Sequence, residues 1–261
     1  MTRRNQSLLL LVLTVALLVV VSTRVAPREA SQISREPVDD PLPSATPTPI
    51  IAETPPPTPS APQHLRDVFP ELSLTDWKLQ IVNNSYVLPS SFAPNVSKTR
   101  DEQYFDSRAV DALEEMLEQA ELAGYSVCIR VGYRPFATQA YLFNGKASQI
   151  QWGTTMSLLE AEHEARKVVA YPGTSEHQLG LGVDLMDRAD SSMSTETAAA
   201  IPTLVWLREH CAEYGFILRY PENKKEITGW YEPWHFRYVG EEAAKYIMEH
   251  ELCLEEFIEQ F

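Results

Sequence analysis

Hydrophobic and polar positions divide the chain into three stretches of different character. Residues 8–21 form an apolar run broken only by Thr14, about as long as a signal-peptide core and slightly short for a bilayer span. Prolines are concentrated in the next stretch, where ten of the 19 fall between Pro37 and Pro62. From residue 65 onward, apolar residues recur at helix and strand spacings. This pattern predicts one folded domain at the end of the chain.

The three stretches predict an N-terminal signal-anchor or signal peptide over 1–23, a Pro/Thr-rich disordered tether over 24–64 and a folded domain over 65–261. An uncleaved signal-anchor is favoured because Arg24 and Val25 stand where a cleavage site needs small residues. The tether cannot bury enough apolar surface to offset its ordering entropy. We therefore expect an extracytoplasmic domain on a single-pass membrane anchor, or a secreted domain if the segment is cleaved.

Within the domain, the pattern predicts several helices and short strands that do not alternate strictly. Strands are predicted over 77–83, 126–131, 216–220 and 230–239, with 126–131 in a central position. Helices are predicted over 106–124, 157–170, 202–214, 241–249 and 254–260, with a further helix that includes Gln139. This order favours an α+β fold in which helices flank a small antiparallel sheet.

The charge distribution excludes two classes of partner. The chain carries a net charge of −14, and its first 64 residues contribute nothing to it because five arginines balance five acidic residues. The folded domain is therefore strongly acidic. Such a surface argues against nucleic acid and anionic lipid as partners, so membrane contact is expected only through the N-terminal segment.

Two short motifs about fifty residues apart carry the candidate metal chemistry. His177 and Asp184 flank a Gly-rich stretch, and Glu232 precedes His235 by three residues. Two histidines and one carboxylate are a common ligand set for catalytic Zn²⁺, which keeps a further position for water. The pattern predicts His177, Asp184 and His235 as zinc ligands and Glu232 as the general base. Alternatively, Glu232 orients a histidine ligand.

Local sequence also predicts how these residues are placed. Glycines after His177 argue against a continuous helix, so His177 is expected in a loop that enters a strand carrying Asp184. Residues three apart on a regular strand face opposite sides. Pro233 is therefore expected to make the strand irregular and turn Glu232 and His235 into one pocket.

Three further polar residues are candidates for binding substrate. Arg134 follows a predicted strand, and a guanidinium can bind a carboxylate or polarise a carbonyl. A structural salt bridge is the alternative for this residue. Gln139 and Ser175 are neutral hydrogen-bonding candidates near it. Motifs of the commoner zinc proteases, serine hydrolases and nucleotide-binding loops are missing from the sequence.

These motifs together resemble those of the D-Ala-D-Ala metallopeptidases, in particular their VanY-type carboxypeptidase branch. Residues 175–184 match the family's Ser-x-His-x-x-Gly-x-Ala-x-Asp signature, apart from Gly182 in place of alanine. Residues 232–240 resemble the branch's second signature, and Gly132-Tyr133-Arg134 with Gln139 resembles a third segment. Val131 and Pro135 also depart from the family, in which serines are common at these positions. The resemblance extends over essentially the whole domain from about residue 70.

The resemblance implies a fold and an activity for the domain. The fold would be the α+β zinc domain shared by these peptidases and hedgehog proteins. The activity would be removal of the terminal D-alanine from peptidoglycan stem peptides that end in D-Ala-D-Ala, by attack of a zinc-activated water. By the same resemblance, His177, Asp184 and His235 would bind zinc, Glu232 would be the base and Arg134 would bind substrate.

Two other functions stay open on the same residues. The family contains endopeptidases that cut inside the stem peptide, and dipeptidases of free D-Ala-D-Ala that act inside the cell. An exported domain argues against the dipeptidases. A non-catalytic, zinc-bearing module that binds the cell wall is the other alternative, although such a module would not need Glu232 as a base.

Overall fold

The computed structural model describes residues 65–190 and 194–261 of the chain. The predicted signal-anchor over 1–23 and tether over 24–64 lie outside these residues. Among the helices in the described ranges, none is both long enough and apolar enough to cross a membrane.

The described residues contain six strands, four of which form the main antiparallel sheet. The strands are β1 (Val96–Lys98), β2 (Tyr104–Asp106), β3 (Val127–Val131), β4 (Gly182–Asp187), β5 (Phe216–Tyr220) and β6 (Glu232–Tyr238). Strands β1 and β2 pair as a separate ribbon, and the other four form a sheet in the order β3-β4-β6-β5. The predicted small antiparallel sheet is thus confirmed.

The strand expected in the centre of the sheet lies at its edge. Strand β3 occupies the predicted stretch 126–131 but pairs only with β4, and it exposes Arg130 to solvent. Strands β4 and β6 are the inner pair and are buried along almost their whole length. A charged, exposed side chain is typical of an edge strand, which must avoid pairing with other chains.

Helices cover the sheet, as predicted, although several begin or end at other residues. In the described ranges they are α1 (Leu65–Val68), α2 (Val110–Leu122), α3 (Phe136–Trp152), α4 (Leu158–Ala165), α5 (Glu176–Leu179), α6 (Thr195–Ala200), α7 (Pro202–His210), α8 (Lys225–Thr228), α9 (Glu241–Glu249) and α10 (Leu254–Glu259). Asp106, the first residue of the helix predicted over 106–124, instead ends β2, where it accepts a hydrogen bond from the Arg108 backbone. A 3₁₀ turn over Cys211–Tyr214 continues α7.

The two faces of the sheet pack against different helices. On strand β5, Phe216 contributes to the same hydrophobic cluster as Leu113 and Leu117 of α2. The next residue, Ile217, joins a second cluster with helices α9 and α10. Successive side chains on a strand point to opposite faces. Helix α2 therefore covers one face, and α9 and α10 cover the other.

The strand predicted over 77–83 is absent, and a 3₁₀ helix over Trp77–Leu79 begins there instead. Asp76 caps this turn by accepting a hydrogen bond from the backbone nitrogen of Lys78. The carbonyl oxygens of Lys78 and Gln80 both accept hydrogen bonds from Nη2 of Arg237, each at 2.9 Å. A buried guanidinium thus satisfies carbonyls that a neighbouring strand would otherwise pair.

Candidate metal centre and substrate cavity

His177 lies in the single-turn helix α5 rather than in the predicted loop. Gly180 ends this helix in the left-handed conformation, with φ of +81°, which favours glycine. Nδ1 of His177 lies 2.9 Å from the carbonyl oxygen of Gly132. When Nδ1 donates its proton to that carbonyl, Nε2 keeps its lone pair for a metal.

The register of the inner strands brings Asp184 and His235 together. Asp184 on β4 is the direct cross-strand partner of His235 on β6, so both side chains face the same side of the sheet. Asp184 Oδ1 lies 2.8 Å from His235 Nδ1, and its Oδ2 lies 3.4 Å from His177 Nε2. One ligand atom from each residue falls within 4.8 Å of the others. All three side chains are buried.

Glu232 stands next to this cluster because the pairing of β6 is irregular, as predicted. Leu218 of β5 pairs with Phe236, whereas Tyr220, two residues further, pairs with Glu232. Two extra residues on β6 therefore disturb the regular alternation around Pro233. As a result, the Glu232 Oε2 atom lies 3.8 Å from His235 Nδ1, on the same side as the candidate ligands.

Two of the three predicted substrate-binding residues line the cavity, and the third is buried behind one of them. Arg134 lines the cavity in front of the candidate ligands, and Ser175 also lines it. Gln139 is fully buried behind Arg134. Its amide accepts a hydrogen bond from Arg134 Nη1 at 2.7 Å and donates another to the Ala170 carbonyl at 2.7 Å. Gln139 therefore holds the guanidinium in place, and the salt-bridge alternative for Arg134 finds no carboxylate partner in the described part of the chain.

Burial and neighbouring charges shift the pKa values of the site. Burial raises the pKa of Glu232 to about 7, against the opposing effect of His235. Burial alone would lower the pKa of His235, but contacts with Asp184 and Glu176 raise it to about 9. Burial lowers the pKa of His177 below its ordinary value. For Asp184, the two histidines outweigh burial and hold the pKa well below its usual range.

Sequence reasoning missed a group of buried charges beneath His235. Glu176, Arg219 and Arg237 are all buried, and the Glu176 carboxylate accepts hydrogen bonds from both arginines. The ring of Tyr220 also lies against that of His235, with 4.9 Å between the ring centroids. Glu176 directly precedes the predicted ligand His177. Two features of the sequence could have indicated this group: the position of Glu176 directly before a predicted ligand, and the arginines on β5 and β6.

The candidate ligands open into a cavity of about 690 Å³. Arg134 and Glu232 line it beside the ligands. Its other walls carry aromatic and cationic side chains, among them Tyr141, Lys146, Arg166, Tyr171 and Trp230. The cavity is therefore large enough for a short peptide, with the half-buried Arg134 and the Glu232 carboxyl group beside the candidate metal position.

Comparison with known proteins identifies the family of the chain. The family model described as "VanY: D-alanyl-D-alanine carboxypeptidase" matches residues 102–241, which is more than half of the chain. The chain belongs to the VanY family. It spans 67% and 66% of the length of two curated relatives, and 44% and 50% of the length of two others.

Solved structures of related peptidases support this membership. A VanY vancomycin resistance D,D-pentapeptidase with Zn(II) bound is 35% identical, with a TM-score of 0.61, and covers 70% of this chain and 99% of that one. VanYB in complex with D-alanine-D-alanine is also 35% identical, with a TM-score of 0.62 and coverage of 70% and 98%. The LD-carboxypeptidase LdcB is 36% identical, with a TM-score of 0.59 and coverage of 69% and 85%. The predicted family and the α+β peptidase fold are thus confirmed.

Proposed function

We propose that this protein is a zinc-dependent carboxypeptidase that removes the terminal D-alanine from peptidoglycan stem peptides ending in D-Ala-D-Ala. The observation that carries this proposal is the cluster of His177, Asp184 and His235 with Glu232 and Arg134 in the same cavity. Membership of the VanY family and the similarity to a VanYB complex with D-alanine-D-alanine support the substrate class.

The donor set fits Zn²⁺. Two imidazole nitrogens and one carboxylate oxygen, all buried and within 4.8 Å of one another, are the ligand types and spacing that a catalytic zinc site uses. The similar VanY structure holds Zn(II). When bound, zinc would polarise the scissile carbonyl and lower the pKa of a water to about 7. His177, Asp184 and His235 would hold the ion.

Glu232 is placed to move protons during the reaction. It lies beside the ligand cluster but contributes none of the three ligand atoms. With its pKa raised to about 7, its carboxylate can accept a proton from the attacking water and later donate it to the leaving amine. A group that must both accept and donate near neutral pH works best with such a pKa.

Arg134 is placed to bind the end of the substrate. Gln139 fixes its guanidinium in the cavity, and the backbone nitrogen of Arg134 donates to the carbonyl of His177 at 2.9 Å. The guanidinium therefore keeps a defined position relative to the ligand cluster. It would bind the terminal carboxylate of the substrate, which makes the site select a chain end. Ser175 offers a further hydroxyl in the same cavity.

Mass spectrometry of cleavage products tests the substrate class. The zinc-loaded protein is incubated with a stem pentapeptide ending in D-Ala-D-Ala and, separately, with the tetrapeptide that ends in a single D-alanine. Loss of one D-alanine from the pentapeptide supports the proposal. Cleavage of the tetrapeptide alone would instead assign an LD-carboxypeptidase, which the similarity to LdcB makes the relevant alternative. An internal cut would assign an endopeptidase, and zinc binding without cleavage would assign a wall-binding module.

We also infer an extracytoplasmic location for the domain, on the evidence of the sequence alone. The apolar run over 8–21 would anchor the chain in the membrane, and the proline-rich stretch over 24–64 would hold the domain away from it. This arrangement suits a cell-wall substrate. Fractionation of cells that produce the full chain should place it with the membrane, whereas recovery from the medium would indicate a cleaved signal.

A further inference from the structure

Glu176 lies directly beneath the metal site and is almost completely buried, with 1% of its surface exposed. Its Oε1 atom accepts hydrogen bonds from Arg219 Nε at 2.8 Å and from Arg237 Nη1 at 2.7 Å. A buried carboxylate between two guanidiniums remains ionised and firmly oriented. One oxygen of Glu176 is therefore fully committed to holding the side chain in place.

The other oxygen of Glu176 faces His235. Within the described residues, Glu176 Oε2 and His235 Nε2 are both buried and both lack a hydrogen-bond partner, yet they lie only 3.6 Å apart. Buried polar atoms without partners are rare in native proteins because their desolvation is costly. Two such atoms that face each other form a donor and acceptor pair once the histidine carries its proton on Nε2.

We propose that Glu176 is a positioning residue that accepts the Nε2 proton of His235 and thereby directs Nδ1 of that ring toward the metal. The opposite nitrogen of His235 already faces the site, since Nδ1 lies 2.8 Å from Asp184 Oδ1. A carboxylate behind a metal-binding histidine fixes the tautomer and the ring orientation. Glu176 acts through His235 and is not one of the three candidate ligands.

Gly182 provides the space for this contact. A Cβ atom at this position would lie 2.9 Å from His235 Nε2 and 3.1 Å from the Glu176 Cβ atom. A side chain there would displace the ring of His235 or the carboxylate. The glycine that departs from the family signature thus permits a direct approach between the two residues.

Glu255 offers a matched control, because it binds the same arginine as Glu176. Arg219 also donates to Glu255 through Nη1 at 2.9 Å and through Nη2 at 2.6 Å. Glu176 and Glu255 therefore share Arg219, but only Glu176 faces His235. Replacing Glu255 disturbs the same arginine without touching the histidine. The inference concerns zinc binding, so it holds whichever peptide bond the enzyme cleaves.

Zinc affinity, measured by competition with a chromophoric chelator, tests the proposal in Glu176→Gln and Glu255→Gln. We expect Glu176→Gln to weaken zinc binding by roughly 10- to 100-fold, as loss of a partner behind a metal ligand does. Glu255→Gln should bind zinc as the natural protein does, even if its melting temperature falls. Equal zinc affinities in the two variants would overturn the proposal.

Nuclear magnetic resonance gives a second test, and its first part uses the natural protein alone. In the zinc-loaded protein, His235 should carry its proton on Nε2, and this proton should resonate far downfield because it is hydrogen-bonded. Gly182→Ala should shift it upfield by lengthening the contact with Glu176. A proton on Nδ1 of His235, or an Nε2 proton that is unaffected by Gly182→Ala, would contradict the proposed contact.

Discussion

Asp184 and His235 are direct partners across strands β4 and β6, and their side chains approach to 2.8 Å between Oδ1 and Nδ1. Strand register therefore joins two candidate ligands that are 51 residues apart in the chain. His177 reaches the same point from helix α5, which leads into β4. The metal site thus rests on the two most buried strands of the sheet, where side-chain positions are well fixed.

Asp184→Asn should greatly weaken zinc binding while preserving the fold. Asparagine has the same shape but lacks the negative charge that the two histidines face. We expect a loss of zinc affinity greater than the roughly 10- to 100-fold caused by removing a partner behind a ligand. Equilibrium dialysis against a metal buffer measures it. Retention of natural affinity would show that the ion binds elsewhere.

Zinc binding at pH 8 should release at least one proton per chain, that of His235. In the metal-free site the pKa of His235 is raised to about 9, so the ring is mostly protonated at pH 8, and zinc must displace that proton. Glu232, with a pKa of about 7, is already mostly ionised at this pH. The apparent zinc affinity should therefore fall as the pH drops below 9. Calorimetry in buffers of different ionisation enthalpy counts the protons released, and a value near zero would contradict the assignment of His235.

Arg134→Ala should lower kcat/KM for the D-Ala-D-Ala pentapeptide by about 10- to 100-fold, because a hydrogen bond to a charged group contributes about 1.5–3 kcal/mol. Comparing two substrates, one with a free C-terminal acid and one with a C-terminal amide, shows whether Arg134 binds the terminal carboxylate. The natural enzyme should prefer the free C-terminal acid over the C-terminal amide, and Arg134→Ala should lose this preference. If the variant keeps the preference, the terminal carboxylate is bound by another residue.

Zinc should stabilise the domain against unfolding, because the ligands converge only in the folded chain. Free zinc at 100 times its Kd adds about 2.7 kcal/mol to the free energy of unfolding. For a domain of this size, each kcal/mol corresponds to about 2–4 °C in Tm. Calorimetry should therefore show a rise of several degrees with zinc, and a much smaller rise for Asp184→Asn. An equal rise in both proteins would place the stabilising ion at another site.

The sequence predicted the parts of the site that depend on local spacing. His177, Asp184, Glu232 and His235 lie in short motifs with a recognisable ligand set, and the structure brings all four together. The irregular strand around Pro233 followed from the need to turn residues three apart to one side. Their roles in binding zinc and moving protons remain predictions.

Features that depend on distant partners could not be predicted. Arg237 replaces a strand partner for the carbonyls of Lys78 and Gln80, which lie more than 150 residues away in the chain. Glu176 contacts Arg219 and Arg237, which are 43 and 61 residues away in the chain. The periodicity of hydrophobic residues indicates helices and strands but does not indicate which distant side chains pair. The edge position of β3 was missed for the same reason, since strand order is a property of the assembled sheet.

Glu232→Gln gives the most direct test of the central claim, which is that a zinc site with Glu232 as its base cleaves the terminal D-alanine. Zinc content and turnover are measured on the same preparation of the variant. We expect about one zinc per chain and a loss of kcat of at least about 10²-fold, the lower end of what a positioned general base contributes. Loss of zinc together with activity, or activity close to that of the natural protein, would contradict it.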